Sequence, residues 1–99
     1  MCPFLPSLQA LYEAAGDNEI EDMMVLLALY ADVNWSNHDA DNRTPLHNAC
    51  ERGHLHAAEY LCQNNARVQV PDRTGKTPID LALAGGFVEL HKLLMRKVA

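Results

Sequence analysis

The sequence predicts an all-α fold, a short solenoid of about three helix-turn-helix units, and three observations predict it. TPLH from Thr44 to His47 returns as TPID from Thr77 to Asp80, 33 residues later (77 − 44). A fixed period in the low thirties marks a helical repeat array. The two copies also agree along the whole unit, pairing Asp39 with Asp72, Asn42 with Gly75, Leu46 with Ile79, Ala49 with Ala82, Gly53 with Gly86 and Leu61 with Leu94. Finally, a degenerate earlier copy falls on the same ladder, with Leu11 and Tyr12 matching Leu46 and His47 at an offset of 35 (46 − 11). Two extra residues therefore separate the first and second units, and the polar, aperiodic stretch Asn34 to Asp41 is the place for them.

Each unit reads as two antiparallel helices and an extended loop. In the middle unit Thr44 is the N-cap and Pro45 takes the first helical position, where its missing N–H costs nothing. Gly53 follows near Arg52 as a left-handed C′ residue. A second helix, about Leu55 to Asn64, carries Leu55, Ala58, Leu61 and Cys62 at helical spacing, and Asn65 ends it. In the third unit Thr77 and Asp80 form a T-x-x-D capping pair. Its last helix carries Val88, Leu90, Leu93, Leu94 and Val98, with Lys92, Arg96 and Lys97 near the C-terminus. Those cations suit the negative end of the helix dipole and predict a polar outer face, as a terminal cap of a stack requires.

The first unit departs most. Ser7 is its candidate N-cap, Asn18 replaces the inter-helix glycine, and the second helix runs about Ile20 to Leu29. Tyr30 occupies a turn position that wants a left-handed residue, so a rebuilt or strained turn is expected there.

With 99 residues there is room for one domain, units about 7–38, 39–71 and 72–99. The chain is 48% hydrophobic and 21% charged, and no apolar run approaches the ~18 residues of a membrane span. Its start, MCPFLPS, has no basic n-region, so no secretory signal is read. Three cysteines follow the repeat rather than a disulfide framework, which fits a reducing, cytoplasmic setting, the nucleus being the alternative. A net charge of −5 argues against nucleic-acid binding, which rests on clustered Lys and Arg. A monomer is expected.

These residues resemble the ankyrin repeat family, whose pattern includes a D-x-x-G-x-T-P-L-H start, a G-H turn and a G-A-x-V-N finish. Here they stand as DADNRTPLH, as Gly53 and His54, and as NARV from Asn65 to Val68, with YADVN from Tyr30 to Asn34 in the first unit. The resemblance covers about Leu8 to Met95 and implies an ankyrin-repeat solenoid with β-hairpin-like loops. LYEAA from Leu11 and LALYADVNW ending at Trp35 further resemble the ankyrin segment of Arf GTPase-activating proteins with BAR and PH domains. In that family GTPase activation belongs to a separate zinc-finger domain with a CxxC-type cluster and a catalytic arginine. Cys2, Cys50 and Cys62 form no CxxC pair, so the resemblance implies at most the accessory ankyrin arm.

What the resemblance implies is a module that binds a protein partner, and stacking explains how. Aligned loops make a row of fingers that, with the first helices, form a concave surface. The candidate partner-binding residues are Trp35, His38, Asp41 and Arg43 at the first junction, Arg73 and Lys76 at the second, and Asn48, Glu51 and Arg52 on the inner helix. Trp and Arg are the commonest hot-spot residues, so Trp35 beside Arg43 is the preferred anchor. The alternatives are that Trp35 merely covers the apolar edge of the longer loop and that the charges are a solvated face. At the functional level three classes stand open: an interaction module, the regulatory arm of a GTPase-activating enzyme, and a structural spacer.

Chemical constellations carry less. Cys50, His54, His56 and Cys62 offer zinc-type ligands, but the fold itself assigns all of these except His56 to packing or turns. Cys50 and Cys62 read as small buried hydrophobes rather than nucleophiles. Glu19, Glu21 and Asp22 complement a helix dipole, and Gly85 and Gly86 end a helix rather than cradling a phosphate. Neither enzyme activity, a metal nor a cofactor is expected.

Overall fold

Two Thr-Pro pairs start two of the inner helices, and the computed structural model, which describes residues 10–29 and 32–98, shows how. Thr44 precedes α3 (Pro45–Arg52) and Thr77 precedes α5 (Pro78–Ala84), each in extended geometry with its hydroxyl accepting the N–H three residues on. Asp80 Oδ2 returns the bond to Thr77 N at 3.1 Å, so the predicted capping pair is closed. In α3 the same return comes from an imidazole, with Thr44 N donating to His47 Nδ1 at 3.0 Å. The remaining helices are α1 (Ala10–Gly16), α2 (Ile20–Ala28), α4 (Leu55–Gln63) and α6 (Val88–Val98).

Left-handed residues separate paired helices where the sequence asked for them. Gly53 has φ 76° and ends α3 while His54 N bonds back to Ala49 O at 2.9 Å. Asn18 at φ 58°, Gly86 at φ 74° and Asn65 at φ 70° do the same work in their turns. Tyr30 and Ser7, for which strain and a cap were expected, lie outside the described residues. Glu19 is the N-cap of α2 but makes no side-chain cap bond. Its carboxyl, raised by a hydrogen bond to Asp22, faces another acid instead of serving only the helix dipole.

The hairpins stack side by side, α1 against α3 against α5 on the inside and α2, α4 and α6 outside, in a body 44 × 25 × 22 Å. One core runs through the stack, with Leu11, Met23, Leu46, Leu61, Leu90 and Leu94 buried and Ile79 packed against it. Small residues let helices approach: Ala15, Ala49, Ala57, Ala58 and Ala82 are all fully buried. Gly16 is the tightest point, since a Cβ there would stand 2.2 Å from Asn48 Nδ2.

Two expectations are corrected. The loops are not β-hairpins: among the described residues the only bridge is Asn37 with Arg43, and a 3-10 turn, His38–Ala40, fills the first finger. The reason is local, because Asn37 and Asp72 side chains accept the N–H groups of Asp39 and Thr74 and curl the backbone before a ladder can form. Second, the exposed surface of the last helix is mixed rather than wholly polar: Glu89, Lys92, Arg96 and Lys97 are exposed as expected, but so are Val88 and Met95, at 60% and 47%, and Leu83 of α5 is 62% exposed.

Candidate protein-interaction surface

The first finger closes with Asn37 N donating to Arg43 O, and the second with Asp72 N donating to Lys76 O, both at 2.8 Å. Asn37 therefore plays the part of Asp72, whereas the sequence ladder paired Asp39 with Asp72. Asn37 to Arg43 is two residues longer than Asp72 to Lys76, so the insertion lies in the finger itself. Asp41 and Asn42 absorb it by adopting φ 56° and 59° in succession, a conformation these short polar side chains tolerate.

Beneath the fingers runs a brace of buried polar groups. Asp72, whose side chain is 0% exposed, accepts from Thr74 N at 2.8 Å, Thr74 Oγ1 at 2.6 Å, Lys76 N at 2.9 Å and Arg43 Nε at 3.2 Å. Burial raises its carboxyl, but these bonds outweigh burial and hold it well below the usual carboxylate range. Arg43 donates its other arm to Glu51 at 2.6 Å, and its side chain is only 19% exposed. His47 Nε2 lies 3.0 Å from Lys76 O, and because a carbonyl can only accept, this nitrogen carries the proton. His47 Nδ1 is then free to accept from Thr44, so one neutral tautomer satisfies every contact. Burial lowers the imidazole, against the raising pull of the Lys76 carbonyl and Asp72.

The first junction is tied in the same way. Asn48 Nδ2 donates to Tyr12 O at 2.8 Å, His54 Nε2 to Gly16 O at 2.9 Å, and Arg52 Nη1 to Gly16 O at 3.2 Å and Asp17 at 3.3 Å. Gly16 O, the last carbonyl of α1, which no helical N–H can reach, is thus capped by the following unit, while Asn48 binds a carbonyl within the helix.

The nine sequence candidates fall into two groups. Asn48 is buried at 5% exposure, and Arg43 is committed to Asp72 and Glu51. Trp35 is half-buried, its ring edge-on to Tyr12 with centroids 6.4 Å apart, so it knits the first finger to α1. By contrast His38, Asp41, Glu51, Arg52, Arg73 and Lys76 are exposed. His38 faces Asn42 Oδ1 at 2.8 Å, and Arg73 Nη2 reaches His38 O at 3.4 Å. Arg73 N also donates to Asp41 O at 2.6 Å, so adjacent fingertips are held in register. Sequence reasoning missed Tyr12, whose phenol is raised by burial and whose ring supports Trp35. Its place in the His47 slot of the repeat was the available signal.

Among the described residues the two thiols, Cys50 and Cys62, lack the surroundings of a nucleophile: burial pushes both upward. Among the described residues no group of three or more His, Cys, Asp or Glu side chains could hold a metal ion. There too, no helix is long and apolar enough to cross a membrane.

The family profile described as ankyrin repeats, in three copies, matches residues 9–99. The chain belongs to the ankyrin-repeat family. It is an all-α solenoid of about three ankyrin units, a fold class not associated with catalysis. Over 87 residues this ankyrin chain is 40% identical to the Arf-GAP with coiled-coil, ANK repeat and PH domain-containing protein 2 of Gallus gallus, covering 88% of the chain and 11% of that relative. The Homo sapiens counterpart is 40% identical over 81 residues, 82% of the chain and 10% of the relative. The ARF GTPase-activating protein GIT2 of Homo sapiens is 35% identical over 85 residues, 86% of the chain and 11% of its own length. The ankyrin region described here thus spans about a tenth of the length of the curated relatives it matches.

Proposed function

We propose that this chain is the accessory ankyrin arm of an Arf-type GTPase-activating protein and that it binds a polypeptide partner without taking part in catalysis. The observation that carries the proposal is the 40% identity to the Gallus gallus relative, whose name joins Arf-GAP, ANK repeat and PH domain, across 88% of this chain. The geometry supports a binding role because Asp41, Arg73 and Lys76 stand exposed on fingers that a buried brace holds rigid, which lowers the ordering cost of association.

Two measurements test the two halves. An antibody against this segment should detect, in cells, a polypeptide many times its 11.0 kDa, yielding peptides of a PH domain; a cellular species of 11.0 kDa would remove the arm assignment. For binding, a polypeptide retained on the immobilised chain should be lost from a variant carrying Asp41→Ala, Arg73→Ala and Lys76→Ala. Equal retention by variant and wild type would exclude the fingertips.

A further inference from the structure

Among the described residues three histidines bond through their rings, and only one of them uses both nitrogens. His38 Nδ1 lies 2.8 Å from Asn42 Oδ1, and His54 Nε2 lies 2.9 Å from Gly16 O. Both oxygens can only accept, so each of these nitrogens carries a proton, and the second nitrogen of each ring has no bond among the described residues. A further proton on either ring breaks nothing. His47 differs: its Nε2–H donates to Lys76 O at 3.0 Å, while Nδ1 accepts from Thr44 N at 3.0 Å and from Thr44 Oγ1 at 2.8 Å. Lys76 O also takes the closing bond of the second finger, from Asp72 N at 2.8 Å. One neutral imidazole thus joins the N-cap of α3 to the base of the next repeat's finger. In the first unit the same slot holds Tyr12, whose phenol is raised and stays neutral throughout the acid range.

We propose that His47 is a pH-sensitive latch: a proton on Nδ1 frees the second finger from α3 and opens the stack between the second and third repeats, leaving the first junction closed. An imidazolium has two donors and no acceptor. Its new N–H would face the N–H of Thr44, a residue only 2% exposed, and leave that buried donor without a partner. The Thr44 hydroxyl can turn to accept, but the backbone N–H cannot, so the capping box of α3 is lost. Two charged groups face the ring: Asp72 of the second finger favours the cation, and Arg43 of the first opposes it. Burial is the larger influence and also opposes it. Relief comes when the finger lifts and water reaches the imidazole. The open state takes up its proton near the ordinary histidine value of about 6.5 while the closed state resists, so opening gains about tenfold per pH unit below that value until the closed ring also protonates. Arg73 N donates to Asp41 O at 2.6 Å, so a lifted second finger also leaves the fingertip register. The consequence for a partner rests on the proposed fingertip role; the latch itself does not.

Amide hydrogen exchange of the chain at about pH 7.5 and about pH 5.5 tests the latch with no partner present. After correction for intrinsic exchange rates, protection of the Asp72 and Lys76 amides should fall about tenfold at the lower pH. The Asn37 and Asn42 amides, which bond to Arg43 O and Asn37 O within the first finger, should keep theirs. His47→Gln should abolish the difference, because a carboxamide can donate to Lys76 O and accept from Thr44 N yet does not titrate in this range. His54→Gln should retain it. Independently of any variant, ring-nitrogen NMR shifts of the wild-type chain should show His47 as the Nε2–H tautomer at about pH 7.5. Equal loss of protection in both fingers, a wild-type response in His47→Gln, or an Nδ1–H tautomer would overturn the proposal. Polypeptide retention by the Asp41, Arg73 and Lys76 variant is compared with wild type at neutral pH, where the latch is closed, so a failed latch and a failed binding role are told apart.

Discussion

Arg43 of the first finger places its Nε 3.2 Å from the buried Oδ2 of Asp72 at the base of the second, so one ion pair couples neighbouring repeats. Arg43 is therefore a brace before it is a contact. Arg43→Ala would leave Asp72 without its cation and Glu51 without its 2.6 Å partner. The expected loss is about 1–3 kcal/mol, the scale of a hydrogen bond to a charged group, read as a lower urea midpoint. An unchanged midpoint would return Arg43 to the list of free surface groups.

Acid should destabilise the protein in two stages. His47 is lowered by burial, so the unfolded chain binds its proton first and stability falls as pH drops below the ordinary histidine value of about 6.5. Asp72 is held below the carboxylate range, so its contribution is intact above about pH 4 and is lost as pH falls through its folded value. Thermal midpoints of wild type and His47→Gln, measured from pH 7 to pH 5, should converge as pH falls. Parallel curves would show that His47 does not supply the first stage.

Gly16 and Asn48 should behave as one unit. A methyl at position 16 would meet the Asn48 amide, which is fixed by its 2.8 Å bond to Tyr12 O, so Gly16→Ala must break that bond or shift α1 from α3. A cost of about 1–3 kcal/mol is expected for Gly16→Ala alone. In an Asn48→Ala background the same change should cost much less, because the obstructing amide is gone. Additive effects in a double-mutant cycle would refute the contact.

Leu61 sits fully buried in α4, where the middle unit meets its neighbours. Leu61→Ala should cost about 2–5 kcal/mol, a large share of the total for a stack of three units. Urea titration should show most of the helical signal lost at markedly lower denaturant. A midpoint that barely moves would place Leu61 outside the core.

Much of the fold was legible because it rests on local chemistry. Thr44-Pro45 and Thr77-Pro78 begin helices, and Gly53, Gly86, Asn18 and Asn65 take the left-handed turns. The site was less legible. Arg43 and Trp35 look like exposed anchors in the chain order, yet one is held by a buried carboxylate and the other by an aromatic edge. Letter matching also paired Asp39 with Asp72, whereas the backbone bonds give that part to Asn37. Side-chain length and charge do not say which of several nearby acids or amides will be enclosed.

The order of residues by itself determined the repeat period, the helix starts and stops, the apolar stripe and the ankyrin kinship, because caps, turns and periodicity depend on neighbours within about four residues. Only the stacked structure decided which polar groups are braces and which stay free. Asn48 reaches Tyr12 across 36 residues of chain and Arg43 reaches Asp72 across 29. Such partners meet only after the hairpins align, and the same alignment decides that Leu61 and Leu94 are enclosed while Leu83 and Val88 are exposed.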